Sequence, residues 1–191
     1  MEHDKLQLIE SRAETLLKDI KEDNHAFVYS TALLIMVSLY LIAIVFLYIK
    51  FDFSTKLLIY LVLLIGMLAY YKMNMNKVFA ESAALLNYKT IDRDDKINYV
   101  AGLLRYLNSG FEVKLTRLKS VRIIYAILFP FFLLIVREIF LGSFSDTSSF
   151  LINLVVAIVL GGFWYFYFAS DQSELELDKE EVDELITKIY S

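Results

Sequence analysis

Long runs of apolar residues alternate with charged segments along the chain. The runs 26–49 and 147–170 each hold 24 consecutive uncharged residues. The run 57–71 is shorter, but the stems of its flanking lysines can lie along the helix and extend the span to about 53–75. Because a helix needs roughly 20 apolar residues to cross the hydrocarbon core of a bilayer, all three runs predict membrane-spanning helices.

A fourth apolar run, 123–145, is interrupted by the adjacent charged residues Arg137 and Glu138 and carries the only proline, Pro130. A proline in a membrane helix kinks it and frees a backbone carbonyl, which neighbouring helices must satisfy. The four runs together predict an all-α integral membrane protein with two transmembrane hairpins. The acidic start of the chain is unlike the basic start of a secretory signal, so we expect the first span to be retained as an anchor.

The lysines and arginines are distributed unevenly between the spans. Sixteen of the 19 lie in the N-terminal segment, between the second and third spans, or in the C-terminal segment. Because Lys and Arg concentrate on the cytoplasmic side of membrane proteins, both termini and the central segment are expected to face the cytoplasm. The predicted parts are a cytoplasmic N-terminal helix (1–25), a first transmembrane hairpin (26–75), a cytoplasmic helical segment (76–121), a second transmembrane hairpin (122–170) and an acidic cytoplasmic C-terminal helix (171–191).

Both terminal segments predict amphipathic helices, since their apolar residues recur at helical intervals. The N-terminal stripe consists of Leu6, Ile9, Ala13, Leu16 and Ile20, and the C-terminal stripe consists of Leu175, Val182, Leu185 and Ile189. An apolar stripe of this kind has to be buried against another apolar surface. Two arrangements are open for the N-terminal stripe: it docks on helices of its own chain, or it forms a helical collar between protomers. The acidic C-terminal helix can pair within the chain or bind a partner.

Local signals predict where the cytoplasmic helices begin and end. Asp92 or Asp94 can cap a central helix, and the sequence Asn-Ser-Gly at 108–110 supplies its stop. Ser173 and Glu176 resemble a capping box at the start of the C-terminal helix. A basic run follows the central stop and is expected to anchor the chain against anionic lipid headgroups. It consists of Lys114, Arg117, Lys119 and Arg122.

Two features inside the predicted spans are candidates for function. Asn153, Ala157 and Gly161 lie on one face of the fourth span, and small or polar residues allow membrane helices to approach closely. This face could serve packing within one protomer, an interface between subunits or the lining of a pore. Arg137 and Glu138 form an ionisable pair in an apolar helix. The pair could reach the outer headgroups, form an intersubunit ion pair or make a charged ring at an outer mouth.

The composition excludes several kinds of chemistry. The chain is 58% hydrophobic and has no cysteine and only two histidines, so thiolate nucleophiles, zinc fingers and iron–sulfur clusters are ruled out. No nucleophile elbow, zinc-protease or phosphate-loop spacing occurs. We expect no enzymatic activity, no cofactor and no bound metal. The basic run is not accompanied by a glycine-rich phosphate loop or by aromatic residues that could stack on bases, so it does not indicate a nucleic-acid site. The expected partners are membrane lipid, further copies of this chain and a cytosolic protein.

The order of elements resembles that of known defence proteins. An N-terminal helix containing Ser-Arg-Ala at 11–13 precedes two spans with a very short outer turn, and a helix bearing Ala80, Ala83 and Ala84 follows. Over residues 5–110 this layout is similar to the SLATT-type membrane effectors of prokaryotic conflict systems. Four spans in 191 residues also resemble the tetraspan membrane subunit of Kiwa-type antiphage systems, which works with a cytosolic partner.

The resemblance implies that the protein forms homo-oligomers and has a role in defence. It identifies no catalytic or ligand-binding residue in this chain. We therefore expect a homo-oligomeric effector of an antiphage system in the bacterial inner membrane, which forms or gates an ion-conducting pore. The alternative is a non-conducting membrane scaffold or sensor that recruits a cytosolic partner protein through its cytoplasmic helices.

Overall fold

The computed structural model contains six α-helices, and no strand, within the residues that it describes. The helices are α1 (Glu2–Glu22), α2 (His25–Phe51), α3 (Thr55–Ala83), α4 (Lys96–Leu141), α5 (Thr147–Tyr167) and α6 (Ala169–Tyr190). The structure describes these helices and Asp95, and it describes side chains for residues 4–18, 31–51, 57–77, 95–141, 151–166, 169 and 172–189. The prediction of an all-helical chain is confirmed for this part of the sequence.

Three helical segments are long and apolar enough to cross a membrane. They are Thr31–Phe51, Leu57–Lys77 and the long segment Lys96–Leu141. Leu151–Phe166, within α5, forms a shorter apolar helix. Three predicted spans are therefore matched by helices of sufficient length, and the fourth span stays a prediction.

The chain divides into two compact units, each with its own core. The polar unit consists of Met1–Ala26, Asn74–Leu118 and Ser170–Ser191. The apolar unit consists of Phe27–Met73 and Lys119–Ala169. The polar unit gathers the terminal and central segments, and the apolar unit gathers residues of the two predicted hairpins.

The core of the polar unit is built from the stripes of α1 and α6 and from the first part of α4. The buried stripe residues are Ile9, Ala13 and Leu16 of α1 and Val182 and Leu185 of α6. Ile189 packs against this core, to which α4 contributes Val100, Leu103, Leu104, Leu107 and Phe111. Leu6 is half-buried, and the side chain of Ile20 lies outside the described residues. Both stripes are thus buried within one chain.

Polar contacts also join α6 to other helices of the polar unit. The Arg12 guanidinium donates two hydrogen bonds to the Glu181 carboxylate, from Nε at 2.5 Å and from Nη2 at 2.8 Å. Because the guanidinium donates to the charged form, it lowers the pKa of Glu181. Asn108 Nδ2 donates to Asp183 Oδ1 at 2.9 Å. Exposed pairs of this kind contribute about 0–1 kcal/mol, so the buried stripes dominate the stability of the unit.

The helix stop predicted at 108–110 is wrong, because α4 continues through these residues. Leu104, Leu107 and Phe111 are all buried, so the apolar face of α4 extends across the predicted stop. A glycine within a helix costs about 1 kcal/mol relative to alanine, whereas burying one large apolar side chain contributes about 1.5–3 kcal/mol. The Asn108 side chain contacts α6 and does not terminate α4.

The start of α4 has the geometry of an N-cap. Asp95 Oδ1 accepts a hydrogen bond from the Asn98 backbone N–H at 3.3 Å, and the Asp95 carbonyl accepts one from the Tyr99 N–H at 2.9 Å. A capping aspartate satisfies backbone donors that have no helical partner. Asp95 therefore caps α4, while the predicted caps Asp92 and Asp94 lie outside the described residues.

The capping box predicted at Ser173 and Glu176 is wrong, because α6 already begins at Ala169. Inside the helix, Gln172 Nε2 donates to the Glu176 carboxylate at 2.9 Å. The capping sequence therefore lies within the first turns of α6 and does not mark its beginning.

In the apolar unit, α2, α3 and the second part of α4 share one core. Its largest fully buried side chains are Tyr40, Leu47, Tyr60, Leu64, Ile124, Leu128 and Ile135. Other faces of α2, α3 and α5 leave large apolar side chains exposed, among them Ile42, Val62 and Val159. Helices that carry apolar residues all round are typical of membrane spans. The exposed faces of this unit are suited to lipid.

Candidate functional site

Arg137 and Glu138 lie near the end of α4, which finishes at Leu141. Successive helical residues project about 100° apart, and here the two side chains meet different surroundings. Arg137 is exposed, whereas Glu138 is only 3% exposed. Glu138 is also the only acidic residue among the described side chains of the apolar unit. Because burying a carboxylate in an apolar bundle is costly, Glu138 is a candidate functional residue.

Two tyrosines of the apolar unit are buried as well. Tyr40 of α2 is 0% exposed and Tyr60 of α3 is 1% exposed. Both tyrosines belong to the core that α2, α3 and the second part of α4 share. Neither hydroxyl has a hydrogen-bond partner in the part of the chain that the structure describes.

The Tyr60 ring is held in place by α4. Its centroid lies 6.3 Å from that of Phe131, at an interplanar angle of 72°, which is the edge-to-face arrangement that aromatic pairs favour. Sequence reasoning missed both tyrosines, because tyrosine in a membrane protein is usually interpreted as an interfacial residue. The available signal was Tyr40, which lies well inside its apolar run.

A lysine joins the end of α2 to the end of α4. Lys50 Nζ donates a hydrogen bond to the Ile139 carbonyl oxygen at 2.5 Å. Carbonyls in the last turn of a helix have no helical donor, and a cation is favourable at this end of the helix dipole. Lys50 therefore brings a positive charge to the end of α4 that carries Glu138.

Arg122 binds the last turn of α5. Its Nε donates to the Tyr165 carbonyl oxygen, and its Cζ lies 3.8 Å from the centroid of the Tyr165 ring. Arg122 is buried by these contacts. The lipid anchoring expected of the basic run therefore does not apply to Arg122, which instead holds α5 through a helix-end hydrogen bond and a cation–π contact.

Gly161 marks a close approach of α5 to α4. A Cβ added at Gly161 would lie 2.2 Å from the Ala126 carbonyl oxygen and 3.5 Å from Pro130 Cγ. Because proline has no N–H, the carbonyl of Ala126 lacks its helical donor. An Hα of Gly161 occupies the direction of the added Cβ and points at this oxygen, as in the Cα–H···O contacts of close helix pairs. The neighbouring helix therefore covers the carbonyl that Pro130 frees.

The other two residues of this face differ in their surroundings. Ala157 is buried, and Asn153 is half-buried. Asn153 Nδ2 is itself buried and has no hydrogen-bond partner among the described residues. Ala157 and Gly161 are buried against other residues of the same chain. A further role of this face in a pore or a subunit interface stays a prediction.

Among the described residues, no three His, Cys, Asp or Glu side chains are grouped so that they could hold a metal ion. Comparison with known proteins found no matching family model, no matching curated protein and no matching solved structure.

Proposed function

We propose that the protein is a homo-oligomeric effector of a prokaryotic antiphage defence system, and that its copies form or gate an ion-conducting pore in the bacterial inner membrane. In this proposal α2, α3, the second part of α4 and α5 cross the membrane, and both termini lie in the cytoplasm. The uneven distribution of Lys and Arg supports this orientation. The three long apolar helices support the membrane location.

The exposed surface around Arg137 is the observation that carries the proposal. Leu133, Arg137, Phe140 and Leu141 recur at helical intervals near the end of α4, and all are exposed. Phe140 is the most open of them, at 84% exposure. An arginine within a membrane-spanning segment needs polar partners, because its charge is costly in lipid. A second copy of the chain would cover the apolar side chains and offer the guanidinium polar partners.

The packing of the apolar unit favours a pore between copies over a pore within one copy. Leu47, Ile124 and Ile135 are apolar, and each is 0% exposed in the core of the unit. We therefore infer that the surface around Arg137 faces an axis shared by several copies. Rings of arginine or lysine side chains favour anions, so the pore is expected to prefer anions.

Cysteine cross-linking tests this interface, since the chain has no cysteine of its own. In native membranes, Arg137→Cys is expected to form disulfide-linked dimers on mild oxidation, because equivalent positions of neighbouring copies meet around the axis. Ile59→Cys is the matched control, since Ile59 is an exposed residue near the start of α3. The absence of dimers with Arg137→Cys, or equal yields from the two variants, would contradict the proposed interface.

A second candidate function, a non-conducting scaffold for a cytosolic partner, is favoured by the outer face of α6. Leu177 is 65% exposed, and Glu174, Glu180 and Glu184 lie exposed on the same face. An apolar side chain framed by carboxylates is complementary to a basic surface with an apolar centre. A double variant, Leu177→Ala with Glu180→Lys, leaves the core untouched. Loss of a co-purifying protein in this variant, together with the absence of any current from the wild-type protein, would favour the scaffold.

A further inference from the structure

Asn153 is a polar side chain of α5 whose amide group is left without hydrogen bonds. Asn153 is half-buried, and its Nδ2 is buried without a hydrogen-bond partner among the described residues. Its Oδ1 is not buried in this way, and no hydrogen bond to it occurs in the part of the chain that the structure describes. Lipid tails offer no donor, and polar side chains in membrane helices bond to other helices. The amide oxygen of Asn153 is therefore suited to a donor on another copy of the chain.

Arg137 of α4 has the complementary need for an acceptor. Its guanidinium group carries five N–H donors and no acceptor. Arg137 is exposed, and its side chain makes no hydrogen bond or ion pair with any residue that the structure describes. Since a charge in a membrane-spanning segment needs polar partners, an amide oxygen of a neighbouring copy would suit it.

The packing of α5 on α4 places the two residues at a similar depth. The helices run antiparallel, because the contacts that Arg122 and Ala126 of α4 make with α5 follow each other in the opposite order along α5. From the level at which Ala126 meets Gly161, Arg137 lies about 16 Å along α4 and Asn153 lies about 12 Å along α5 in the same direction. Helical side chains lean toward the start of their own helix. The side chains of Arg137 and Asn153 therefore lean toward each other's level.

We propose that Arg137 of one copy donates a hydrogen bond to Asn153 Oδ1 of the neighbouring copy. This inference rests on the proposed function, because it takes the surface around Arg137 as a contact between copies. Within one chain the two side chains are not hydrogen-bonded to each other, whereas each copy can supply the group that its neighbour lacks. A contact of α4 with α5 of the next copy is heterologous, and such contacts close into a ring when the rotation between copies allows it. The subunit interface therefore includes α5, with Asn153 as the acceptor.

Cross-linking between differently tagged copies in native membranes tests this contact. One full-length chain carries Arg137→Cys and the other carries Asn153→Cys, so a product that holds both tags forms only between copies. A short bifunctional thiol reagent is used, because an arginine–asparagine pair holds its Cα atoms farther apart than a disulfide allows. We expect the mixed product to form. In the control, Ile152→Cys replaces Asn153→Cys and is expected to yield much less, because Ile152 is 65% exposed but projects about 100° away on the same helix.

The outcomes separate this inference from the proposed function. If Arg137→Cys alone forms disulfide-linked dimers but its yield of mixed product is no higher with Asn153→Cys than with Ile152→Cys, the inference is overturned and the proposed interface stands. If Arg137→Cys forms no dimers, the proposed interface fails and the inference fails with it.

Native mass spectrometry of the full-length protein in detergent, followed through a dilution series, tests the hydrogen bond itself. Asn153→Leu removes the acceptor and is expected to weaken association about tenfold per contact. Asn153→Asp is expected to associate at least as tightly as the wild type, because a carboxylate accepts from a guanidinium group. In chains that already carry Arg137→Met, Asn153→Leu is expected to have little further effect, since the donor is gone. An equal effect of Asn153→Leu with and without Arg137 would overturn the inference, even where the leucine perturbs packing.

Discussion

Replacing Gly161 by alanine is expected to lower the melting temperature of the full-length protein in detergent by about 5–10 °C. The added Cβ would lie 2.2 Å from the Ala126 carbonyl oxygen, whereas carbon–oxygen contacts are usually about 3.3–3.6 Å. A backbone oxygen cannot rotate away, so α5 would have to move from α4 by about 1 Å. That movement would also loosen the contact between the rings of Phe129 and Trp164, now 5.1 Å apart.

Gly162→Ala is the matched control for this substitution. A Cβ at Gly162 would meet nothing within 4 Å, and alanine is a better helix former than glycine by about 1 kcal/mol. The melting temperature, followed by circular dichroism, should therefore stay the same or rise slightly. Equal decreases for the two variants would show that the close approach at Gly161 is not what determines stability here.

Replacing Leu16 by alanine is expected to increase the amide hydrogen exchange of α1 by at least about thirtyfold. Leu16 is 2% exposed in the core of the polar unit. Deleting a buried leucine side chain costs about 2–5 kcal/mol, and about 1.4 kcal/mol corresponds to a factor of ten. The pair of Arg12 with Glu181 remains, but it contributes at most about 1 kcal/mol.

Leu8→Ala is the control, because Leu8 lies on the same helix and is 73% exposed. Its exchange should stay within a few-fold of the wild-type rate. The comparison should be made at protein concentrations low enough to leave single copies in detergent. If Leu16→Ala has an effect only in the assembled protein, the stripe is buried between copies and not within one chain.

Most helices of this protein can be predicted from the pattern of hydrophobic residues along the chain. The apolar runs that include Tyr40 and Leu64 lie in α2 and α3, and the spacing of Ile9, Leu16 and Val182 marks the faces that are buried in the polar unit. Such patterns are informative because burial of an apolar face supplies most of the stability of a protein helix. The need to cover the carbonyl freed by Pro130 was also predictable, since it follows from the missing N–H.

Tertiary contacts account for what the sequence did not predict. The continuation of α4 through 108–110 depends on packing partners in α1 and α6, which a local stop signal cannot reveal. Arg137 is exposed and Glu138 is buried, and this difference depends on which face of α4 packs against α2 and α3. The burial of Tyr40 and Tyr60 in one core could not be predicted, because no sequence spacing relates residues on different helices.

Current recording from the purified, assembled protein in planar lipid bilayers tests the central claim most directly. The account predicts discrete current steps and, across a salt gradient, a reversal potential that indicates preference for anions. Arg137→Gln should move this reversal potential toward the value for an unselective pore, while Ile59→Gln should leave it unchanged. An assembled wild-type protein that carries no current at any voltage or pH would contradict the account.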